Sequence, residues 1–289
     1  MKKVITFSSH TLSDFAKCAK SFEFSQLVRI EPKGTKAAFV RGKLIGRCLE
    51  IYYKAKQRKY FKLDALVVKL SDIIANYSGL VEGDQMKLSM RFRFYCKYAK
   101  NEDWVVLAVE QSFAKILYED DDYIYLYEGT PDMIVRLSNG KVAVVDHKTR
   151  SMDKALLGLA NQPLGYLWAC DTEWFIYNYF GLQDTGDSKL WFKRQFERFN
   201  KGLIDRWVRD TIEVYHRARN AAESNKYARS YNCDSKYGAC QFYKICNEHD
   251  TFGERLVINQ HYQVKDDSYG TWHTTKQLVA SAASGDKDK

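Results

Sequence analysis

Two short apolar runs, residues 133–137 and 142–145, flank Ser138-Asn139-Gly140, and each carries an acid at its outer end, Asp132 and Asp146. Runs of this length around Asn-Gly read as a β-hairpin. Side chains alternate between the faces of a strand, so Asp146 and Lys148, two residues apart, share a face. The loop length decides where Asp132 points. A two-residue Asn139-Gly140 turn sets Asp132 opposite His147, with its carboxylate turned away from Asp146. A three-residue loop with Gly140 in the left-handed conformation sets it opposite Asp146, and the two carboxylates converge. The three-residue loop is the expectation, because a hard divalent cation such as Mg²⁺ takes oxygen ligands, commonly one or two carboxylates plus substrate phosphate. An isolated Asp-x-Lys is common, and a surface hairpin with solvated charges is its plainer reading.

Gln162 and Tyr166 follow at a spacing of four, one helical turn, and so share a helix face. Taken together, Pro131-Asp132, Asp146-His147-Lys148 and Gln162-x-x-x-Tyr166 resemble the PD-(D/E)XK nuclease superfamily. Within it they are similar to the RecB-like branch, which includes the AddB nuclease domain and the CRISPR-associated RecB-like exonucleases. The resemblance covers roughly residues 8–248. It implies that Asp132, Asp146 and the His147 carbonyl bind Mg²⁺ or Mn²⁺ and that Lys148 orients the attacking water or stabilises charge on the phosphate. It implies too that Gln162 and Tyr166 support the substrate. Elementary chemistry agrees, since a metal ion lowers the pKa of bound water and a cation offsets developing negative charge.

Further carboxylates are needed to complete such a site. The segment Arg41 to Glu50 resembles a family helix in which a Gly-x-x-x-His places a metal-ligating His, but this chain has Gly46 there. Glu50 lies one turn further along the same face and can reach a metal directly or through water. Glu110, closing the apolar run 105–109, is the stronger candidate, with a strand-end salt bridge as the alternative.

The seven cysteines carry a second signal. With no signal peptide in evidence they argue against a disulfide framework and for a reducing, cytoplasmic setting, in a bacterial or phage-infected cell. Cys48, Cys96 and Cys170 stand singly in apolar or amphipathic runs and read as buried thiols. Cys233, Cys240 and Cys246 form a C-x6-C-x5-C cluster, and Cys18 follows Ser13-Asp14-Phe15. Four thiolates hold Zn²⁺ or an iron-sulfur cluster, and spacing does not choose between them. The family resemblance implies a [4Fe-4S] cluster on Cys18, Cys233, Cys240 and Cys246, stapling the N-terminal helix to the C-terminal segment.

The remaining chain is read around these sites. Apolar periodicity predicts helices over residues 12–28, 37–56, 63–74, 86–100, 154–169 (kinked or restarted at Pro163) and 194–223, and strands from 105 to 145 and over 174–182. The fold class implied is α/β, a restriction-endonuclease-like mixed sheet flanked by helices, with a helical N-terminal subdomain and a cysteine staple. One nuclease domain is expected over 1–250, divided into a mostly helical part (1–100), a catalytic sheet with the Gln-x-x-x-Tyr helix (101–182) and a helix with the cysteines (190–250). A C-terminal extension, 251–289, ends in a polar stretch that reads as frayed.

No apolar stretch approaches the length of a membrane span, and no Walker A motif occurs, so any unwinding needs a helicase or recombination partner. The net charge of +9 suits a polyanion, with Arg29, Lys33, Lys36, Arg41, Lys43 and Arg47 concentrated near a presumed entrance helix and Arg91, Arg93 and Lys97 lining another. The reading is a divalent-metal-dependent deoxyribonuclease, an exonuclease on single-stranded or free-ended DNA. The alternatives are a catalytically impaired nucleic-acid-binding protein, motivated by Gly46, and a redox-responsive regulator.

Overall fold

The structure of the chain, a computed structural model, describes residues 2–34, 37–59, 62–80, 82–100, 102–150, 160–181, 191–230, 233–235, 238–248 and 250–265. In chain order, β1 (Lys3–Ser8), α1 (Ser9–Lys17) and α2 (Ala19–Phe22) lead through a π-helical turn, Glu23–Leu27, to β2 (Ile30–Pro32). Three helices follow, α3 (Ala37–Gln57), α4 (Leu63–Ala75) and α5 (Glu82–Lys100). Then come β3 (Val105–Val109), β4 (Phe113–Glu119), β5 (Tyr123–Gly129), β6 (Met133–Arg136), β7 (Val142–Arg150), α6 (Asn161–Ala169), β8 (Trp174–Gly181) and β9 (Phe192–Arg198). The chain continues through α7 (Lys201–Ser224), the short β10 (Asp234–Ser235) and β11 (Gly238–Ala239), α8 (Tyr243–Cys246), α9 (Thr251–His261) and β12 (Tyr262–Val264). These elements gather into two compact units, one of Met1–Gly34, Ala114–Glu128 and Asp205–Lys289, the other of Thr35–Phe113 and Gly129–Ile204.

The second unit is built on a five-stranded sheet in the order β3-β6-β7-β8-β9. Only β7 and β8 of its neighbouring pairs run parallel. A parallel pair needs a crossover, and α6 lies in it. The two strands are central because they are apolar on both faces: Ala143, Val144, Val145, Phe175 and Ile176 are all fully buried. Helix α3 turns Ile45, Leu49, Tyr52 and Tyr53 into one cluster with Val135, Val145, Ile176 and Phe180, the spacing of an amphipathic helix. Each such burial contributes about 1.5–3 kcal/mol. Val145 therefore faces the helices, and strand alternation sends Asp146 and Lys148 to the other side.

In the first unit, β1 pairs in parallel with β5, which also neighbours β4. Phe7, Phe15, Phe22 and Tyr215 pack ring to ring beside that sheet. A smaller core of Phe24, Ile30, Phe242, Ile245 and Tyr262 joins the cysteine segment to β2 and β12. Part of the C-terminal extension is thus ordered as α9 and β12; residues 266–289 lie outside the described residues.

Several sequence expectations are corrected. The helix expected from residue 194 begins at Lys201; Phe192–Arg198 is a strand, because its alternating FKRQFER pairs residue by residue along β8. The helix expected over 12–28 is broken at Cys18, whose extended backbone (φ −164°, ψ 111°) ends α1. Strand β1, Lys3–Ser8, lies outside the expected strands; its Val4, Ile5 and Phe7 form too short a run to stand out before β5 supplies a partner. Of the helix expected over 154–169, residues 160–169 are described, and Pro163 sits in the first turn of α6, where its missing N–H costs nothing. Lys36 also lies outside the described residues.

Candidate active site

The hairpin forms as expected. Met133 pairs with Val145 and Arg136 with Val142, and Leu137 N–H donates to the Lys141 carbonyl at 2.8 Å. Three residues remain in the loop, and the last of them, Gly140, has φ +81°, a conformation that favours glycine. Continued by one residue, this register sets Asp132 across from Asp146.

The local contacts tie these residues into one group. Asp132 Oδ2 accepts the His147 N–H at 2.5 Å. The Lys148 ammonium lies 2.5 Å from Asp146 Oδ2 and donates to Gln162 Oε1 at 2.9 Å. Gln162 Nε2 donates to Asp146 Oδ1 at 3.1 Å, so the amide closes a ring of acid, base and carboxamide. Tyr166, one turn along α6, donates its hydroxyl to the Thr130 carbonyl at 3.2 Å. Its approach requires Gly129, where an added Cβ would stand 2.5 Å from Tyr166 Cε1. Glu110 follows β3 and donates its N–H to the Asp132 carbonyl at 3.1 Å. Its φ of +51° is left-handed and uncommon for a residue with a Cβ.

The charges are crowded. Burial, reinforced by Asp132 and opposed by Lys148, pushes Asp146 up to about 6. Burial raises Asp132 as well, against the pull of the His147 amide and Lys148. Glu110 is pushed up to about 7 by burial and by the negative charges of Asp132 and Glu50. Glu50 behaves differently: burial opposes its charge, but hydrogen bonds from Lys54, at 2.7 Å, and Arg47 prevail and lower its pKa. His147 is held down at about 4 by burial, so its ring is neutral near pH 7.

The donor set fits a divalent cation. Asp146 Oδ2 is buried against the Lys148 ammonium, and the charge of Asp132 raises the pKa of both Asp146 and Glu110, a cost that a bound cation relieves. Among the described residues, no three His, Cys, Asp or Glu side chains already converge to hold a metal. Such a site would therefore rest on few carboxylates, a main-chain carbonyl and phosphate oxygens, a pattern that suits Mg²⁺.

Cys18, Cys233, Cys240 and Cys246 line a single cavity of about 220 Å³ together with Ser21, Arg229 and Ser230. Burial opposes the Cys18 thiolate, yet hydrogen bonds from the Ser230, Ser21 and Lys20 segments lower its pKa. Cys48 and Cys96 are buried, whereas Cys170, expected to be, is only half-buried; burial pushes Cys48 up to about 11.

Some basic candidates are engaged elsewhere. Arg91 is buried and donates to the Gly181 carbonyl at 3.0 Å. Arg41 and Arg93 pair with Asp84 and Asp72, each at 3.1 Å. Arg29 and Lys33 flank β2, ahead of α3. Spacing gave no signal for Thr130 or for Asn178, a β8 residue whose amide meets His147 Nδ1 at 2.8 Å.

With this geometry in view, comparison with known proteins identifies the class. A family model of the PD-(D/E)XK nuclease superfamily matches residues 6–247, and the chain belongs to that superfamily. Among solved structures, it is similar to SSO0001 at 17% identity, covering 84% of this chain and 85% of that one, with a TM-score of 0.37. A candidate exonuclease from Eubacterium rectale is 12% identical over 85% of this chain and 90% of its own, with a TM-score of 0.42. LHK-Exo, solved in complex with dAMP, is 11% identical over 55% of this chain and 93% of its own, with a TM-score of 0.28. No curated protein sequence matches the chain. Among the described residues, no helix is long and apolar enough to cross a membrane.

Proposed function

We propose that the chain is a divalent-metal-dependent deoxyribonuclease of the RecB-like branch, an exonuclease acting on single-stranded or free-ended DNA. The observation that carries this reading is the convergence of Asp132, Asp146, Lys148 and Gln162 around one hairpin. Asp132, Asp146 and the His147 carbonyl would hold Mg²⁺ or Mn²⁺, and Glu110 would add a further carboxylate. Glu50, already engaged by Arg47 and Lys54, would contribute through water or through its charge. The cation supplies a Lewis acid for the scissile phosphate.

The remaining chemistry belongs to side chains. Lys148, aimed by Asp146 and Gln162, orients the attacking water and offsets charge as the phosphate becomes more negative. Tyr166, fixed against Thr130, supports the substrate at the edge of the site. Asp146 and Lys148 sit on β7, and Gln162 and Tyr166 on the crossover helix α6, so regular elements rather than loops would position them for the reaction.

The four cysteines around one cavity support a [4Fe-4S] cluster on Cys18, Cys233, Cys240 and Cys246. Four thiolates would hold Zn²⁺ as well; the resemblance to the RecB-like branch is what favours iron. A cluster there would staple α1 to the segment carrying α8.

The test uses 5′- and 3′-labelled single and double strands incubated with Mn²⁺. Progressive release of mononucleotides or short products from one end supports the exonuclease reading. Intact DNA after long incubation refutes it and leaves the nucleic-acid-binding alternative.

A further inference from the structure

Behind the acid hairpin, on the helix-covered side of the sheet, a buried set of polar side chains runs away from His147. The His147 ring lies parallel to Tyr53 of α3, with centroids 5.4 Å apart and an interplanar angle of 16°. Its Nδ1 meets the Asn178 amide at 2.8 Å. His147 and Asn178 are register partners across β7 and β8, so this is a cross-strand pair. The same amide nitrogen donates to the Tyr95 hydroxyl at 2.5 Å, and the Tyr95 and Tyr53 hydroxyls lie 2.6 Å apart. Tyr53 then donates to Glu102 Oε1 at 2.6 Å. The Glu102 side chain is fully buried and also engages Lys56, at 2.6 Å, and Arg194. Arg194 Nε returns to Asn178 Oδ1 at 3.4 Å, closing the network.

This arrangement is an expensive way to hold a core together. A buried carboxylate with two cations costs desolvation that apolar residues of similar volume avoid, and Leu or Phe would fill the space between α3, α5 and the sheet. The network converges on one residue with three duties. The His147 N–H fixes the Asp132 carboxylate, its carbonyl is the proposed main-chain ligand, and its neighbours on either side are Asp146 and Lys148. A rotation of the β7 backbone at His147 that re-aimed its N–H or carbonyl would swing the Cα–Cβ bond and pull the ring off Tyr53 and Asn178. The stack on Tyr53 and the bond to Asn178 oppose that rotation from the side of the sheet away from the chemistry.

We infer that Asn178, Tyr95, Tyr53 and Glu102 are positioning residues for the metal site, holding His147 so that its N–H and carbonyl stay aimed at Asp132 and the metal. The inference rests on the functional reading above, with the His147 carbonyl as a ligand. Residues that orient metal ligands in this way are worth about 10–100-fold in metal affinity or activity.

The test compares Tyr95→Phe, which keeps the ring and loses only the hydroxyl, and Asn178→Leu with a control, Tyr52→Phe. Tyr52 is buried in the same cluster, and its hydroxyl meets the Cys96 carbonyl at 3.4 Å, outside the network. Free Mn²⁺ is titrated by electron paramagnetic resonance without DNA, and nuclease rates are measured against Mn²⁺ concentration. The expected result is a Mn²⁺ requirement raised about 10-fold or more in Tyr95→Phe and Asn178→Leu, with KM for DNA unchanged, and Tyr52→Phe close to wild type. Equal Mn²⁺ binding by wild type and both network variants overturns this inference and leaves the functional reading intact. A wild type that takes up no Mn²⁺ overturns both.

Discussion

A group arranged to receive a cation should destabilise the cation-free protein, and Asp146 offers a quantitative case. Its side chain is 3% exposed, and its pKa lies at about 6 instead of the ordinary 3.8. That difference corresponds to about 3 kcal/mol by which the folded environment disfavours the carboxylate at pH 7.5. The sign follows from linkage. Below about pH 4 the group is protonated in both states and contributes nothing. Between about 4 and 6 the folded state holds more protons than the unfolded one, so stability falls as pH rises, and above about 6 the penalty is complete. Asp146→Asn keeps the shape and removes the charge. Because an amide makes a poorer partner for Lys148, the gain should be part of that penalty, about 1–3 kcal/mol. In EDTA at pH 7.5 the variant should melt higher, by about 2–4 °C per kcal/mol, and the advantage should shrink towards pH 4. Nuclease activity should disappear. A variant less stable than wild type at pH 7.5 would show that the Asp146–Lys148 pair stabilises the fold, and would refute the reasoning.

Other changes probe the remaining parts. Gly129→Ala pushes a methyl to 2.5 Å from Tyr166 and 3.1 Å from Phe113; it should displace Tyr166 and lower kcat/KM at least tenfold, measured on a labelled oligonucleotide. Gly46→Ala meets nothing within 4 Å and should raise stability by about 0.5–1 kcal/mol in a denaturant titration, the cost of glycine inside a helix. Cys18→Ser and Cys240→Ser should each abolish a broad absorbance at roughly 400 nm in anaerobically purified protein and lower its melting temperature; an unchanged spectrum would remove them as ligands.

The site was legible where chemistry and strand geometry coincide. Asn139-Gly140 announces a turn, and Gly140 alone in that loop accepts a positive φ without strain, so the period-two pattern fixes which acids face each other. Cys233, Cys240 and Cys246 could be grouped because their spacing is short, whereas Cys18, at the other end of the chain, joined them only through the family resemblance. The network behind His147 was not legible. Tyr53, Tyr95, Glu102, Asn178 and Arg194 come from two helices, a loop and two strands, and each alone is an ordinary residue of its element. Residues 192–198 were misread because a short strand of alternating charge and aromatic residues, leading into a long amphipathic helix, carries both periodicities until β8 supplies its partner. Glu110 was identified as a candidate, but its left-handed backbone depends on how β3 ends against Asp132.

The most direct test of the central claim is Mn²⁺-dependent release of nucleotides from labelled single-stranded DNA by the wild type and by Lys148→Met. The account predicts degradation that requires Mn²⁺ or Mg²⁺, stops in EDTA and falls about 10²–10³-fold in Lys148→Met, with DNA binding retained. Wild-type protein that binds DNA but leaves it intact with either ion, or a Lys148→Met variant as active as wild type, would contradict it.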